Sequence, residues 1–303
     1  MTAYLARRAM QAVAVVLLVT LIVFALLQLG PGADQASVVG TGAAHSEFLL
    51  EYLSWLGQVL QGNLGISARV GSVSTLLAAS LPRTLVLTGF STLIALAVAI
   101  PVGIIQAVRR NTAVDHVLRG LAFVFYGTPS FVLGSVLILF LGVQHHIFGA
   151  EGPQAPGIVG VVTDWRDLTL PVLTLTLLTI ATFARYMRSA AADSLDEDYV
   201  EAARARGADQ RRVLLRHVLR NSLVPVVTLV GLSIPQILGG ALIVESLFNI
   251  RGMGWQIWQA AMNHDLPVVL GFTLVIGIGA AIGSLLADLG YALLDPRVRY
   301  ART

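Results

Sequence analysis

The sequence predicts an all-α, polytopic membrane protein that crosses the bilayer with about six helices of roughly 20 residues each. Two observations on composition lead to this fold class: of 303 residues, 56% are hydrophobic and only 12% are charged. Soluble domains carry roughly 25% charged residues, because their whole surface must be hydrated. The third observation is that arginine clusters at the ends of long apolar runs. We therefore expect much of the surface to face lipid.

The first apolar run spans residues 9–29 and follows Arg7 and Arg8. Its length, and the lack of a small-x-small cleavage site after it, favour a retained helix over a signal peptide. Residues 30–80 are mixed in character and predict a long loop outside the membrane. Within this loop, a short amphipathic helix at about residues 47–61 is suited to the outer membrane surface.

Five further apolar runs predict the remaining spans, at about residues 82–108, 117–143, 168–187, 223–244 and 268–289. Residues 144–167 form a second polar loop, and residues 189–222 are the most charged stretch of the chain. We divide the chain into a first helix with its long outer loop, residues 1–80, and a five-helix core, residues 81–303.

Arginine is distributed unequally between the two ends of these spans. One end carries most of the arginines, among them Arg7, Arg8, Arg109, Arg110, Arg119, Arg188, the six from Arg204 to Arg220, and Arg297, Arg299 and Arg302. The other end carries Arg69, Arg83, Arg166 and Arg251. The positive-inside rule places the arginine-rich end in the cytoplasm. Both termini are then predicted to be inside, and the scattered arginines form no basic face for nucleic acid.

The composition also excludes several kinds of site. The chain has no cysteine, so neither a disulfide nor a thiolate metal site can form. All 20 basic residues are arginine. A Walker A loop uses a lysine to reach the β- and γ-phosphates of ATP, so the chain has no standard ATP site. We therefore expect no cofactor in this chain, and no catalytic constellation emerges from its residues.

The charged stretch contains the most informative pattern. Asp196, Glu197 and Asp198 give an acidic opening turn, which is favourable at a helix N-terminus. Four residues after Ala203 comes Gly207, a natural helix stop because glycine readily adopts a positive φ. A second helix then begins near Asp209, in which apolar residues recur at helical spacing: Val213, Leu214, Val218 and Leu219. The pattern predicts a helix–glycine–helix elbow on the cytoplasmic side.

Glu201–Ala202–Ala203 with Gly207 resembles the EAA loop of permease subunits in ABC importers. In that family the elbow is a coupling helix, seated in a cleft of a separate ATPase subunit. The resemblance implies a coupling role for Glu201, Ala202, Ala203, Gly207 and Ala208. Small alanines would let another backbone approach, and Glu201 would supply a charged contact. The usual Ile-x-Leu-Pro ending is missing, since Asn-Ser-Leu-Val-Pro stands in its place.

Further segments resemble the dipeptide, oligopeptide and nickel permeases within that family. They are Arg212–His217 with Leu219–Asn221 and Pro225, Gly127–Phe131, Glu245–Asn249 with Gly252–Gly254, and Tyr291–Arg297. With the long first outer loop, these segments spread the resemblance over almost the whole chain. Together with the long first loop, the ending is similar to the first of that family's two paired permeases.

The resemblance implies the fold of a type I ABC importer permease and a set of partners. These partners are a second homologous permease, two ATPase subunits that bind ATP and Mg²⁺, and an extracytoplasmic substrate-binding protein. The location implied is the bacterial cell (inner) membrane, as a multi-pass protein in the lipid bilayer. Short peptides are the cargo we expect, with nickel left open, and the residues that bind the cargo are unknown.

Other residues support weaker hypotheses. Asp288 is the one carboxylate well inside a predicted span, and local pairing or snorkelling toward Arg297 is favoured over proton transfer. For Glu245, at the outer end of the fifth span, a helix-end or gate interaction is favoured over ligand binding. His145 and His146 point apart on a helix and have no third ligand at metal-site spacing, so an interfacial position is favoured.

Two alternative functions belong to other classes. An ion-coupled secondary transporter would show inverted repeats and central carboxylates, and neither is clear in this sequence. A membrane scaffold without transport is the other alternative. Polar residues near Pro129 and Pro235 could line a passage or simply allow tight helix packing. Gly239, Gly240, Gly277 and Gly279 are interpreted as packing glycines.

Overall fold

The computed structural model of the chain describes residues 2–29 and 48–294. These residues are almost entirely helical, which confirms the predicted fold class. In chain order the helices are α1 (Thr2–Leu29), α2 (Phe48–Leu60), α3 (Val73–Val108), α4 (Ala113–Gly127), α5 (Ser130–Leu137), α6 (Gly157–Thr163), α7 (Trp165–Leu195), α8 (Asp198–Ala205), α9 (Gln210–Arg212), α10 (Leu219–Gly239), α11 (Leu242–Leu247), α12 (Met253–Met262) and α13 (Leu266–Leu294). Two π-helical segments, Ile138–Gln144 and Val213–Val218, continue α5 and α9. An antiparallel hairpin of β1 (Ile66–Ser67) and β2 (Gly71–Ser72) directly precedes α3.

Four helical stretches among the described residues are long and apolar enough to cross a bilayer: Val73–Val108, Trp165–Leu195, Gln210–Leu247 and Leu266–Leu286. A fifth is counted if the bent pair formed by α4 and α5 is one span. Helix α1 has 28 residues, so at 1.5 Å per residue its ~42 Å exceed the ~30 Å of hydrocarbon. The predicted number of six spans therefore holds approximately.

The third predicted span is broken, where the sequence led us to expect one continuous helix. Helix α4 ends at Gly127, and the axis turns by 102° before α5 continues. Thr128 has extended backbone angles, with φ −85° and ψ 124°. The cause is Pro129, because a proline disfavours the helical conformation of the residue before it. The bend therefore comes from local sequence chemistry.

Other boundaries also differ from the sequence prediction. Helix α3 begins at Val73 rather than near residue 82, so the predicted outer loop is shorter than expected. The fifth span is interrupted after Gly239, where Gly240 adopts a φ of +81°. Helix α6 lies in the stretch that we predicted to be a second polar loop, and α12 lies in the connection between the fifth and sixth predicted spans. The short amphipathic helix expected near residues 47–61 is confirmed as α2.

The described chain divides into two compact units, each with its own core. The first contains the described residues of Met1–Thr88, Gly149–Leu168 and Ile234–Ile282. Its aromatic core packs α1 and α2 against α13, through Phe24, Tyr52, Trp55 and Leu270. The Tyr52 hydroxyl donates to the Leu17 carbonyl at 3.0 Å. Helix α2 is thus held by one face, while its other face leaves Leu49, Leu50 and Leu53 exposed.

The second unit contains Gly89–Phe148, Thr169–Ser233 and the described residues of Gly283–Thr303. Its main core packs the C-terminal half of α3 against α7 and α10, with Ala95, Ala99, Phe183, Ala184, Met187 and Val226 buried. Small residues let the helices approach closely: a Cβ at Gly103 would lie 2.6 Å from the Cβ of Met187. From the sequence we predicted a division at residue 80, between the first helix with its outer loop and a five-helix core. The two compact units do not test that division, which stays a prediction.

Candidate functional site

The predicted elbow is present between α7 and α10, and its turn has a defined geometry. Helix α8 ends at Ala205, and Gly207 follows with a φ of +83°. The Gly207 N–H donates to the Arg204 carbonyl at 2.9 Å, and the Ala208 N–H donates to the Ala203 carbonyl at 3.1 Å. These two bonds are the Schellman pattern, in which a left-handed residue closes a helix and satisfies its last carbonyls. Gly207 is therefore the turn residue, as the sequence predicted.

One face of α8 is buried within the second unit, to which α8 belongs. Val200 and Ala203 belong to a core cluster whose other buried members are Ala107, Ala191, Ala192, Val213 and Val218. Ala208 is half-buried at the edge of the same cluster. Because most of these side chains are small, the backbones of α3, α7 and α8 come close together. A displacement of α8 must therefore displace the ends of the long helices that pack on it.

The opposite face of α8 is exposed. Asp198 and Ala205 lie three or four residues from the adjacent pair Glu201 and Ala202, and all four residues are exposed. Glu201 and Ala202 thus point away from the chain's own core, whereas Ala203 points into it. The structure separates the five predicted coupling residues into a surface pair, a buried alanine and the turn formed by Gly207 and Ala208.

The turn that leads into α8 is held by side-chain contacts. Tyr199 and Ser194 form a hydrogen bond between their hydroxyl groups. Arg110 and Asp196 form an ion pair at 3.4 Å, with side chains 56% and 73% exposed. An exposed pair of this kind contributes about 0–1 kcal/mol. The ion pair therefore contributes little to holding the entry to the elbow.

A buried ion pair next to the elbow was missed by the sequence analysis. Asp115, on α4, is fully buried and accepts two hydrogen bonds of 2.9 Å from the guanidinium of Arg188 on α7. It also accepts from the Asn111 N–H at 3.0 Å, and Arg119 lies 3.5 Å away. The available signal was that an acid and a base lie at the same predicted end of two neighbouring spans.

The segment from Glu245 to Gly254, which also carries part of the resemblance, forms a compact polar cluster in the first unit. Glu245 is fully buried. Its carboxylate accepts from the Thr84 hydroxyl at 2.7 Å and from the Trp255 N–H at 2.9 Å. Thr84 in turn accepts from the Met253 N–H at 2.7 Å. These contacts support the helix-end interpretation of Glu245.

Glycines make room for the Glu245 carboxylate. A Cβ at Gly240 or at Gly252 would lie 2.5 Å from one of its oxygens, and one at Gly254 would lie 3.2 Å away. Larger residues at Gly240 and Gly252 would therefore collide with the carboxylate. Gly240 is a packing glycine, as we predicted, and it combines this role with the turn after α10.

The remaining sequence hypotheses concern His145, His146 and Asp288. His145 follows the π-helical end of α5, and His146 has a φ of +50°. In the described part of the chain, no group of three histidine or acidic residues could hold a metal ion. The side chain of Asp288 and residues 295–303 lie outside the described residues.

The fold and the elbow together define a class: a polytopic α-helical membrane protein with a short helix between two of its long apolar helices. The model of the family described as "Binding-protein-dependent transport system inner membrane component" matches residues 99–300. The chain belongs to this family. It is a transmembrane permease subunit of the ABC importer class and a multi-pass protein of the inner membrane.

Curated relatives match over nearly the whole chain. The oligopeptide transport system permease protein AppB of Bacillus subtilis is 34% identical, covering 99% of this chain and 100% of that protein. The oligopeptide transport system permease protein OppB of Mycobacterium tuberculosis is 31% identical, with 99% of each chain covered. Among solved structures, a chain of the MetNI methionine ABC transporter is similar with a TM-score of 0.59, at 19% identity, covering 73% of this chain and 97% of that chain. This likeness extends to the fold alone.

Proposed function

We propose that this permease subunit imports peptides, and that its elbow couples ATP use by separate ATPase subunits to opening of the path. The observation that carries the coupling role is the division of α8 into a face packed on α3 and α7 and a face left exposed. The curated relatives that match end to end include oligopeptide permeases, which supports peptides as the cargo. Nickel is the second cargo that the sequence resemblance allows.

The partners in this proposal each correspond to a feature of the chain. The ATPases bind ATP and Mg²⁺ and contact the exposed face of α8. A second homologous permease completes the path across the bilayer. A substrate-binding protein delivers the peptide on the side that carries few arginines. With the arginine-rich ends in the cytoplasm, both termini are inside.

The mechanism follows from the packing of the elbow. When the ATPase subunits close, they move α8 through contacts with Glu201, Ala202 and Ala205. Because α8 is packed tightly on the ends of α3 and α7, these helices move with it as rigid bodies. The path then opens outward to receive cargo, and hydrolysis resets it. Gly207 ends α8 and lets the chain turn into α9, so that α8 stays a short helix with one exposed face.

Substitution of Ala202 by Trp tests this coupling role. Ala202 is exposed, so the larger side chain leaves the core of this chain intact but prevents close approach of a partner backbone. We expect peptide uptake and the amount of copurifying ATPase to fall at least about tenfold, the effect of losing ~1.4 kcal/mol of binding free energy. The measurement is affinity purification of the tagged chain with quantitative mass spectrometry, together with uptake of a labelled peptide.

The matched control is Ala78→Trp, which makes the same change at an exposed alanine of α3 in the first unit. This variant should copurify with as much ATPase subunit as the wild type and should take up the labelled peptide normally. If Ala202→Trp copurifies as much ATPase as wild type and transports normally, α8 is not the docking element. If Ala202→Trp loses copurifying ATPase as expected, but the wild-type protein takes up nickel and not the labelled peptide, the coupling role stands and the peptide assignment is wrong.

A further inference from the structure

A basic cavity lies within the second unit, beside the elbow and separate from its exposed face. It has a volume of about 670 Å³ and is bounded by α4, α7 and the end of α3. Volumes of roughly 300–1,000 Å³ are typical of small-ligand sites. Three of its lining residues are arginines, Arg119, Arg185 and Arg188, and none of its lining residues is acidic.

The positive charge of this cavity is only partly compensated. Asp115 is bound to Arg188 at 2.9 Å and lies 3.5 Å from Arg119, so one carboxylate serves two guanidinium groups. Arg185 forms no ion pair with any carboxylate that the structure describes. Its guanidinium instead lies 4.7 Å from the ring centre of Tyr126 and 5.7 Å from that of Tyr186. These cation–π contacts fix its position and leave its N–H donors available.

The wall of the cavity on α4 is apolar and continues onto an exposed face. Phe123 lines the cavity and is 77% exposed. Val117, Leu121 and Val124 on the same helix are also exposed. A ligand that matches both parts has an anionic end and long apolar chains. That combination is the chemistry of an anionic phospholipid.

We propose that this cavity binds the phosphate group of an anionic phospholipid from the cytoplasmic leaflet, with Arg185 as its main contact. Basic pockets between membrane helices on the cytoplasmic side are suited to such headgroups. The proposal rests on the orientation given under the proposed function. Guanidinium groups donate to phosphate oxygens in a bidentate arrangement, so Arg185 and Arg119 provide charge-assisted hydrogen bonds. The acyl chains lie along the exposed apolar residues of α4.

A lipid headgroup bound in this cavity stabilises the packing of the elbow. Gln106 and Arg188 line the cavity, while Ala107 and Ala191, one and three residues further along, pack against α8. A bound headgroup therefore links α4 to the two helix ends that carry α8. The bound lipid stabilises the packed arrangement through which motion of α8 reaches the spans.

Native mass spectrometry of the delipidated full chain in mild detergent tests the site, with phosphatidylglycerol, phosphatidylcholine and inorganic phosphate as separate ligands. Arg185→Gln should weaken phosphatidylglycerol binding about fivefold, the effect of losing ~1 kcal/mol per basic residue. Gly120→Leu should weaken it as well, because a Cβ at Gly120 meets no atom within 4 Å and the side chain fills the cavity. The control Arg109→Gln removes an equal charge from an exposed residue outside the lining and should change binding less than twofold.

Each outcome decides the proposal. A preference for phosphatidylglycerol that both cavity variants weaken and Arg109→Gln does not supports a lipid headgroup. The same variant pattern with inorganic phosphate, and no preference among the lipids, keeps the phosphate site and assigns it to free phosphate. Equal binding by wild type and both cavity variants, or displacement of the lipid by the transported peptide, overturns the proposal. None of these readouts depends on ATPase binding, so the coupling role is tested separately.

Discussion

At the scale of single residues, this chain shows how one side chain can require several glycines. Glu245 is fully buried, and its two oxygens accept from Thr84 and from the Trp255 N–H. A buried carboxylate is tolerated only where its hydrogen bonds are satisfied. The glycines at positions 240 and 252 leave the space for those bonds. The positions of Gly240 and Gly252 relative to Glu245 therefore have a structural reason.

We predict that Glu245→Gln lowers the stability of the protein by about 1–3 kcal/mol. The glutamine amide group has only one acceptor oxygen, so at least one buried N–H or hydroxyl donor loses its partner. Thermal unfolding in detergent, followed by intrinsic tryptophan fluorescence, measures the change. Glu151→Gln makes the same change at an exposed glutamate and should leave the midpoint within about 1 °C, the effect of a surface substitution. An unchanged midpoint for Glu245→Gln would show that these hydrogen bonds contribute little.

At the scale of secondary-structure elements, α4 and α7 are joined by the buried pair of Asp115 and Arg188 next to the elbow. The bond is bidentate, which fixes orientation as well as distance. The exposed pair of Arg110 and Asp196 nearby is a single contact between solvated side chains. These two pairs connect the same part of the fold, but they differ in burial.

This difference predicts unequal effects of the same substitution. Asp115→Asn should destabilise the protein by about 3 kcal/mol, the lower end for breaking a buried pair, because the Arg188 side chain is 21% exposed. Asp196→Asn should cost no more than about 1 kcal/mol. Chemical denaturation of both variants in the same detergent provides the comparison. Equal losses for the two variants would mean that burial does not govern the strength of these pairs.

Helix boundaries could be predicted only where the signal is local. Gly207 and the acidic turn before α8 predicted the elbow, since a glycine stop and an N-terminal acidic turn act within a few residues. The break at Thr128 and Pro129 was equally local, yet the apolar character on both sides of it predicted one continuous span. The start of α3 at Val73 was missed because Val73 is buried against residues of α12 and α13, more than a hundred residues away in sequence.

At the scale of the whole molecule, the orientation in the membrane is a prediction from arginine distribution. The chain has no cysteine, so single cysteines can report which side is accessible without background labelling. We predict that Ser72→Cys, in the hairpin, reacts with a membrane-impermeant maleimide in intact cells. Ala205→Cys, on the exposed face of α8, should react only after the membrane is permeabilised.

Both positions are exposed in this chain, and expression without the ATPase subunits keeps Ala205 uncovered. Access to reagent then depends on the side of the membrane rather than on burial. A cysteine-free wild-type chain is the control for non-specific labelling. The reverse pattern, with Ala205→Cys labelled in intact cells, would place the elbow outside and exclude contact with cytoplasmic ATPases. Labelling of both variants in intact cells would indicate leaky cells, which a cytoplasmic marker protein detects.

The sequence by itself determined the fold class, the approximate number of spans and the place of the elbow. These follow from composition, from the length of apolar runs and from turn chemistry, all of which act over short distances along the chain. Tertiary structure alone decided which faces are buried. It directed Ala203 inward and Glu201 outward on one helix, and it brought Asp115 to Arg188 and Glu245 to Thr84. The physical reason is that burial and buried polar pairing depend on contacts between segments far apart in sequence.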